Sequence, residues 1–180
     1  MEDAFYVTPA DKETLDSLFT PFSSIGTHRM LITAGYGVGH SQWNTMTASW
    51  GSFGVFWNHP TVTCVIRPVR YTYEFVERED LITFSFFPEE RKEVFEICGT
   101  TSGRHTDKAS AAKITPLAMK PGAIGFAEAS VVLVCKKLYY QDLQPEHFLD
   151  KSLIRNYEKN DFHRMYICEI QGIYQPREKK

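Results

Sequence analysis

Asn44-Thr45-Met46-Thr47-Ala48-Ser49-Trp50-Gly51 carries hydroxyls on alternate residues and ends on an indole followed by glycine. Side chains of an extended chain alternate between two faces. Thr45, Thr47 and Ser49 would therefore share one face, with Met46, Ala48 and Trp50 on the other. A plainer alternative is a loop entering a strand, with Trp50 filling core. Downstream, Ile66-Arg67-Pro68-Val69-Arg70-Tyr71-Thr72 adds two guanidiniums within four residues, beside a threonine where a helix is expected to start. Helix amino ends and arginines both favour anions. Together the two stretches supply what a phosphorylated, flat, aromatic cofactor needs. The phosphate needs donors and positive charge, and the ring needs apolar walls with a few orienting polar groups.

Composition narrows the class. At 180 residues, with 43% hydrophobic and 14% aromatic, the chain suits one domain over residues 1–180 with a sizeable core, and global disorder is excluded. A net charge of −2 gives no long-range attraction to nucleic acid or to an anionic membrane. Any cationic site must be local. Cys64, Cys98, Cys135 and Cys168 lack the close pairing of zinc ligands. Three of them, Cys64, Cys135 and Cys168, sit in apolar, β-like runs and are expected to be buried free thiols. Met1-Glu2-Asp3 lacks a signal-peptide pattern and no apolar run approaches spanning length, so a cytoplasmic location is expected.

Residues 10–19 read as a short amphipathic helix with Leu15, Leu18 and Phe19 on one side. Strands are expected at 30–34, 47–53, 61–67, 81–87, 123–140 with a bend or hairpin near 128–130, and 165–174. Trp57-Asn58-His59-Pro60 reads as a turn. Helical turns are expected at 72–78, 89–97 and 109–114, and a helical insert from 145; residues 176–180 form a polar tail expected to fray. Strands outnumber helices and do not alternate with them, which argues for a mainly β, antiparallel barrel with helices outside.

Gly35-Tyr36-Gly37-Val38-Gly39 follows an apolar run, but its G-x-G-x-G spacing and the lack of a following apolar helix point to a flexible turn, not a dinucleotide fold. Ser102-Gly103-Arg104 and Asp107-Lys108 look like an ordinary helix exit. The six histidines show no metal-ligand spacing, and no metal site is expected. His163, just before the last strand, is the one histidine to place near a cofactor. No serine or cysteine has a nucleophile context.

In order and spacing, these pieces resemble the flavin reductase-like, FMN-binding split-barrel family, most closely its flavoredoxin branch. The matching motifs are residues 44–51, Trp57-Asn58-His59-Pro60, residues 67–75, Cys98-Gly99-Thr100-Thr101-Ser102-Gly103-Arg104 and Asp107-Lys108, within a core of about 30–174. The resemblance implies a six-stranded antiparallel split β-barrel of Greek-key type with peripheral helices. It also implies a homodimer with FMN in a groove near the interface. Residue by residue, Asn44, Thr45, Met46, Thr47, Ala48, Ser49 and Trp50 would line the ring and phosphate. Arg67, Arg70, Tyr71 and Thr72 would hold the phosphate and ribityl side. Ser102, Gly103 and Lys108 would close the site, from this chain or from the partner subunit. His163 would lie near the ring, the one candidate for a catalytic side chain. His105 departs from the family pattern, where Asp often follows Ser-Gly-Arg.

The function implied is an FMN oxidoreductase that takes electrons from NADH or NADPH and passes them to a flavin, a small acceptor or a redox protein partner. An electron carrier without its own nicotinamide reaction is the alternative. A nucleic-acid-binding barrel is disfavoured, because 20 Lys+Arg stand against 22 Asp+Glu.

Overall fold

The computed structural model describes residues 5–8, 12–119 and 122–177. In chain order the strands are β1 (Phe5–Thr8), β2 (Met30–Gly35), β3 (Trp43–Ala48), β4 (Gly51–Phe56), β5 (His59–Ile66), β6 (Leu81–Phe86), β7 (Pro116–Met119), β8 (Ala123–Phe126), β9 (Val131–Asp142) and β10 (Arg164–Pro176). The helices are α1 (Lys12–Leu18), α2 (Tyr71–Arg78), α3 (Glu93–Thr100) and α4 (Lys108–Ala112). A π-helical turn covers Ser23–Thr27, and 3-10 turns cover Glu89–Arg91, Pro145–His147 and Lys151–Tyr157.

The main sheet is antiparallel in the order β3-β2-β6-β9-β10-β5-β4, with β1 added on β10. Its two end strands, β3 and β4, are separated in sequence only by Ser49 and Trp50. Two residues span a short distance, so the sheet curls until its ends almost meet while no ladder joins them: a split barrel. β7 and β8 form a separate hairpin. From β5 the chain reaches β6, which is not its neighbour, through α2, and α2 packs on β2 and β3. That crossover sets the amino end of α2 beside β3. α3 packs on β3 as well, and α4 on α3.

Alternation along β2 shows why the curl is stable. Met30, Ile32 and Ala34 face the barrel interior with Met46, Val62, Phe84, Leu133 and Tyr166, all at 7% exposure or less. Leu31 faces the opposite way and joins Val94, Phe95 and Cys98 of α3, Phe126 of β8, and Val132 and Val134 of β9 in a second core. Central strands covered on both faces read as continuous apolar runs.

Several expectations shift. The main sheet has eight strands, not six. Six result when β3 and β4 count as one strand bent at Ser49-Trp50 and the four-residue β1 is set aside. The strand expected at 47–53 is thus two strands meeting at a corner, and the first begins at Trp43. The helix expected at 89–97 splits into a 3-10 turn and α3. The run at 123–140 is β8 and β9 joined by a bend rather than a hairpin, since β8 pairs with β7. Trp57 (φ 50) and Asn58 (φ 63) make the two-residue turn between β4 and β5. Helix α1 falls inside the expected 10–19, of which residues 10 and 11 lie outside the described residues, as do 178–180 of the tail. All four cysteines are buried and free. Among the described residues no helix is long and apolar enough to cross a membrane.

Candidate functional site

The corner between β3 and β4 builds a cleft of about 220 Å³, lined by residues 46–50 together with Val65, Arg67, Arg70 and His163. Gly51 makes the corner possible. Its φ is 159, and a Cβ there would stand 2.4 Å from the Thr63 carbonyl oxygen. Trp50 is 47% exposed, so its indole is a wall and not core filling. Its ring centroid lies 5.2 Å from that of His163. Val65 was not singled out from the sequence, although alternation along a strand puts it on the same face as Arg67.

The two arginines differ in their engagements. Arg67 donates to Asp161 Oδ1 at 2.6 Å and to the Asn156 carbonyl at 2.8 Å, and its guanidinium lies 5.1 Å from the Tyr157 ring centre. Its charge is already matched. Arg70 donates to the Gly99 carbonyl at 3.0 Å, and among the described residues no carboxylate faces it. Burial, then the charge of Arg67, lowers its pKa. A half-buried cation of this kind has donors to spare, and an anion would relieve its desolvation. Asp161, Asn156 and Tyr157 gave no sequence signal, because they meet Arg67 from about ninety residues away.

His163 is buried, with Nδ1 2.9 Å from the Tyr157 hydroxyl. Burial, reinforced by Arg67 and opposed by Asp161, lowers its pKa from 6.5 to about 4. The ring is therefore neutral at physiological pH. Because the folded value lies below the unfolded one, the group removes stability as pH falls from 6.5 toward 4. We expect an NMR titration of the imidazole to show no midpoint near 6.5; a midpoint there would remove the desolvated environment assigned to it.

The remaining predicted residues sit elsewhere. A second cleft, also about 220 Å³, is lined by Asn44, Tyr71, Gly103 and Lys108 among others. Asn44 donates to the Thr72 hydroxyl at 2.8 Å, which pins α2 to β3. Gly103 packs so closely that a Cβ would lie 2.0 Å from Asn44 Oδ1. Lys108 is 4% exposed and donates to the carbonyls of Thr45 (2.7 Å) and Cys98 (3.0 Å) of its own chain. Asp107 caps the helix behind it by accepting from the Ala109 and Ser110 amides. A lysine at a helix start is disfavoured by the helix dipole. Burial brings its pKa down to about 8, against a raising effect of Cys98 and a further lowering by Arg70.

Thr45 and Thr47 do not present free hydroxyls as the alternation suggested. Thr45 Oγ1 lies 2.8 Å from Thr33 Oγ1 and donates to the Ile32 carbonyl. Thr47 Oγ1 donates to the Phe95 carbonyl at 2.6 Å, tying β3 to α3. Only the exposed Ser49 leaves its hydroxyl to the cleft. Ser102 is exposed and accepts from the amides of Arg104, His105 and Thr106, so the His105 departure lies on a surface turn. Burial pushes the Cys98 thiol up to about 11, leaving it unreactive. Among the described residues no cluster of three or more His, Cys, Asp or Glu could hold a metal ion.

A model of the flavin reductase like domain matches residues 22–180. The chain belongs to this family. Among solved structures, it is similar to an FMN-binding domain of a flavin reductases-like enzyme from Shewanella baltica, at 16% identity over 96% of this chain and 78% of that one, with a TM-score of 0.63. It is also similar to the flavoredoxin of Desulfovibrio vulgaris (18%; 90% and 73%; 0.64) and to an FMN-binding protein from Thermus thermophilus (17%; 89% and 75%; 0.64). At such identities the likeness shows a shared fold. No curated protein matches the chain.

Proposed function

We propose that this member of the flavin reductase-like family binds FMN at the β3–β4 corner and acts as an oxidoreductase. Electrons would come from NADH or NADPH and pass to a flavin, a small acceptor or a redox protein. One observation carries this: Ser49 and Trp50, Arg70 and His163, drawn from three separate parts of the chain, line a single cleft. The FMN-binding relatives from Shewanella baltica and Thermus thermophilus support it.

The residues fit the group. Trp50 and His163 offer flat walls to a ring, and Ser49 offers a hydroxyl. Arg70 offers the unmatched cation that a phosphate or an electron-rich ring edge requires. Bound FMN would supply reversible two-electron chemistry. The chain would bind and orient it, and the Arg70 charge would lower the cost of negative charge accumulating nearby. The neutral His163 contributes surface and a hydrogen bond without adding a second cation.

A cleft of about 220 Å³ is smaller than most small-molecule sites, which span roughly 300–1,000 Å³. A second copy of the chain would complete the groove, so the working unit is a homodimer; light scattering of the loaded protein should give twice the chain mass.

The test is spectroscopic. Freshly purified protein should show a flavin absorption spectrum, and FMN should raise its melting temperature; absence of both ends the proposal. Mixing loaded protein with NADPH or NADH in a stopped-flow instrument should bleach the flavin on a catalytic timescale. Bleaching by dithionite alone would instead make the chain an electron carrier.

A further inference from the structure

A second hollow, about 470 Å³, opens beside the cofactor cleft, and Ser49 and Trp50 line both. One bank is Phe22 with the π-helical turn at Ser23–Thr27, and the other is the start of β4. The volume falls in the range of small-molecule sites. None of its lining side chains is ionisable. Phe22 stands 95% exposed at the rim, and covering such a ring releases apolar surface from water. Gly26 has no atom within 4 Å of where its Cβ would be, so this bank leaves open space.

We infer that this hollow holds the flat, neutral ring of the second substrate, packed beside Trp50 and next to the cofactor cleft. The inference rests on the flavin proposal for the identity of the neighbouring ring. Lacking cations, the hollow does not suit the diphosphate of a nicotinamide dinucleotide, and it selects an uncharged aromatic acceptor. Trp50 then separates two planar guests, which places the acceptor within reach of the cofactor without a shared pocket.

Equilibrium dialysis of the FMN-loaded protein against 2-naphthol, with naphthalene-2-sulfonate as the charged counterpart of the same ring, tests this without relying on turnover. We expect 2-naphthol to bind about tenfold or more tightly than the sulfonate. Gly26→Phe fills the hollow from a position with free space and should weaken 2-naphthol about tenfold while FMN stays bound. Phe22→Ala, at a residue 95% exposed, should weaken it in the same direction. Equal affinity for both probes, or affinity indifferent to both substitutions, overturns the inference. So does 2-naphthol that FMN displaces, since it would then occupy the cofactor cleft. So does 2-naphthol affinity that falls as protein concentration rises, since a second copy would then cover the hollow. If the chain retains no FMN yet binds 2-naphthol in a Gly26-sensitive way, the flavin proposal fails and the pocket stands.

Discussion

Replacing Arg70 by alanine should weaken FMN binding by roughly 1.5–3 kcal/mol, about ten- to 150-fold, the range of a hydrogen bond to a charged group. The size follows from what Arg70 lacks. It is partly desolvated, keeps one carbonyl partner, and faces no carboxylate among the described residues. Arg67 provides the internal comparison. Its charge is committed to Asp161, and its planar head lies over Tyr157. Arg67→Ala should therefore lower the unfolding midpoint more than it lowers FMN affinity, because Asp161 loses its partner. Titrating each variant with FMN, following quenching of flavin emission, separates the two. Equal affinity of Arg70→Ala and the parent chain would take Arg70 out of the site.

Gly51→Ala should destabilise the fold by roughly 2–4 kcal/mol and weaken FMN binding with it. The added methyl would meet the Thr63 carbonyl oxygen at 2.4 Å and the Met30 methyl at 3.3 Å. The first of these is backbone in a paired strand and cannot swing aside. Relief requires moving β4 away from β5, and that shifts Trp50, the adjoining residue. Gly54→Ala on the same strand meets nothing within 4 Å and should stay within about 0.5 kcal/mol of the parent. Urea denaturation of both variants decides the matter. If Gly51→Ala unfolds at the parent's midpoint, the corner is not held by that close approach.

How much of this was legible in the sequence depended on whether a signal was local. The strand expected at 61–67 was visible because β-branched residues dominate it, although it takes in His59 and Pro60 from the expected turn and ends at Ile66. Helix α2 was visible as a short helical run at 72–78 with Phe75 and Val76 inward. The corner at Ser49-Trp50 was hidden because hydroxyl alternation runs unbroken from Thr45 to Ser49, and only Gly51 marks the break. The same alternation separates Thr45 and Thr47 from Met46 and Ala48 but did not give their use, since their hydroxyls serve carbonyls on β2 and α3 while Met46 and Ala48 line the cleft. Arg67 and Arg70 look alike three residues apart. Their difference lies in Asp161, which is 94 residues from Arg67. Lys108 would be assigned to the surface by composition, and only the fold brings the Thr45 and Cys98 carbonyls around it. The π-helical turn at Ser23–Thr27 and the short β1 left no pattern to read.

Because Cys64, Cys98, Cys135 and Cys168 are all enclosed, a cysteine introduced on the outer surface would be the sole target of a maleimide dye in the folded protein. A single label, or a gold surface gripping that one sulfur, could then fix the molecule in a chosen orientation without first stripping out the native thiols.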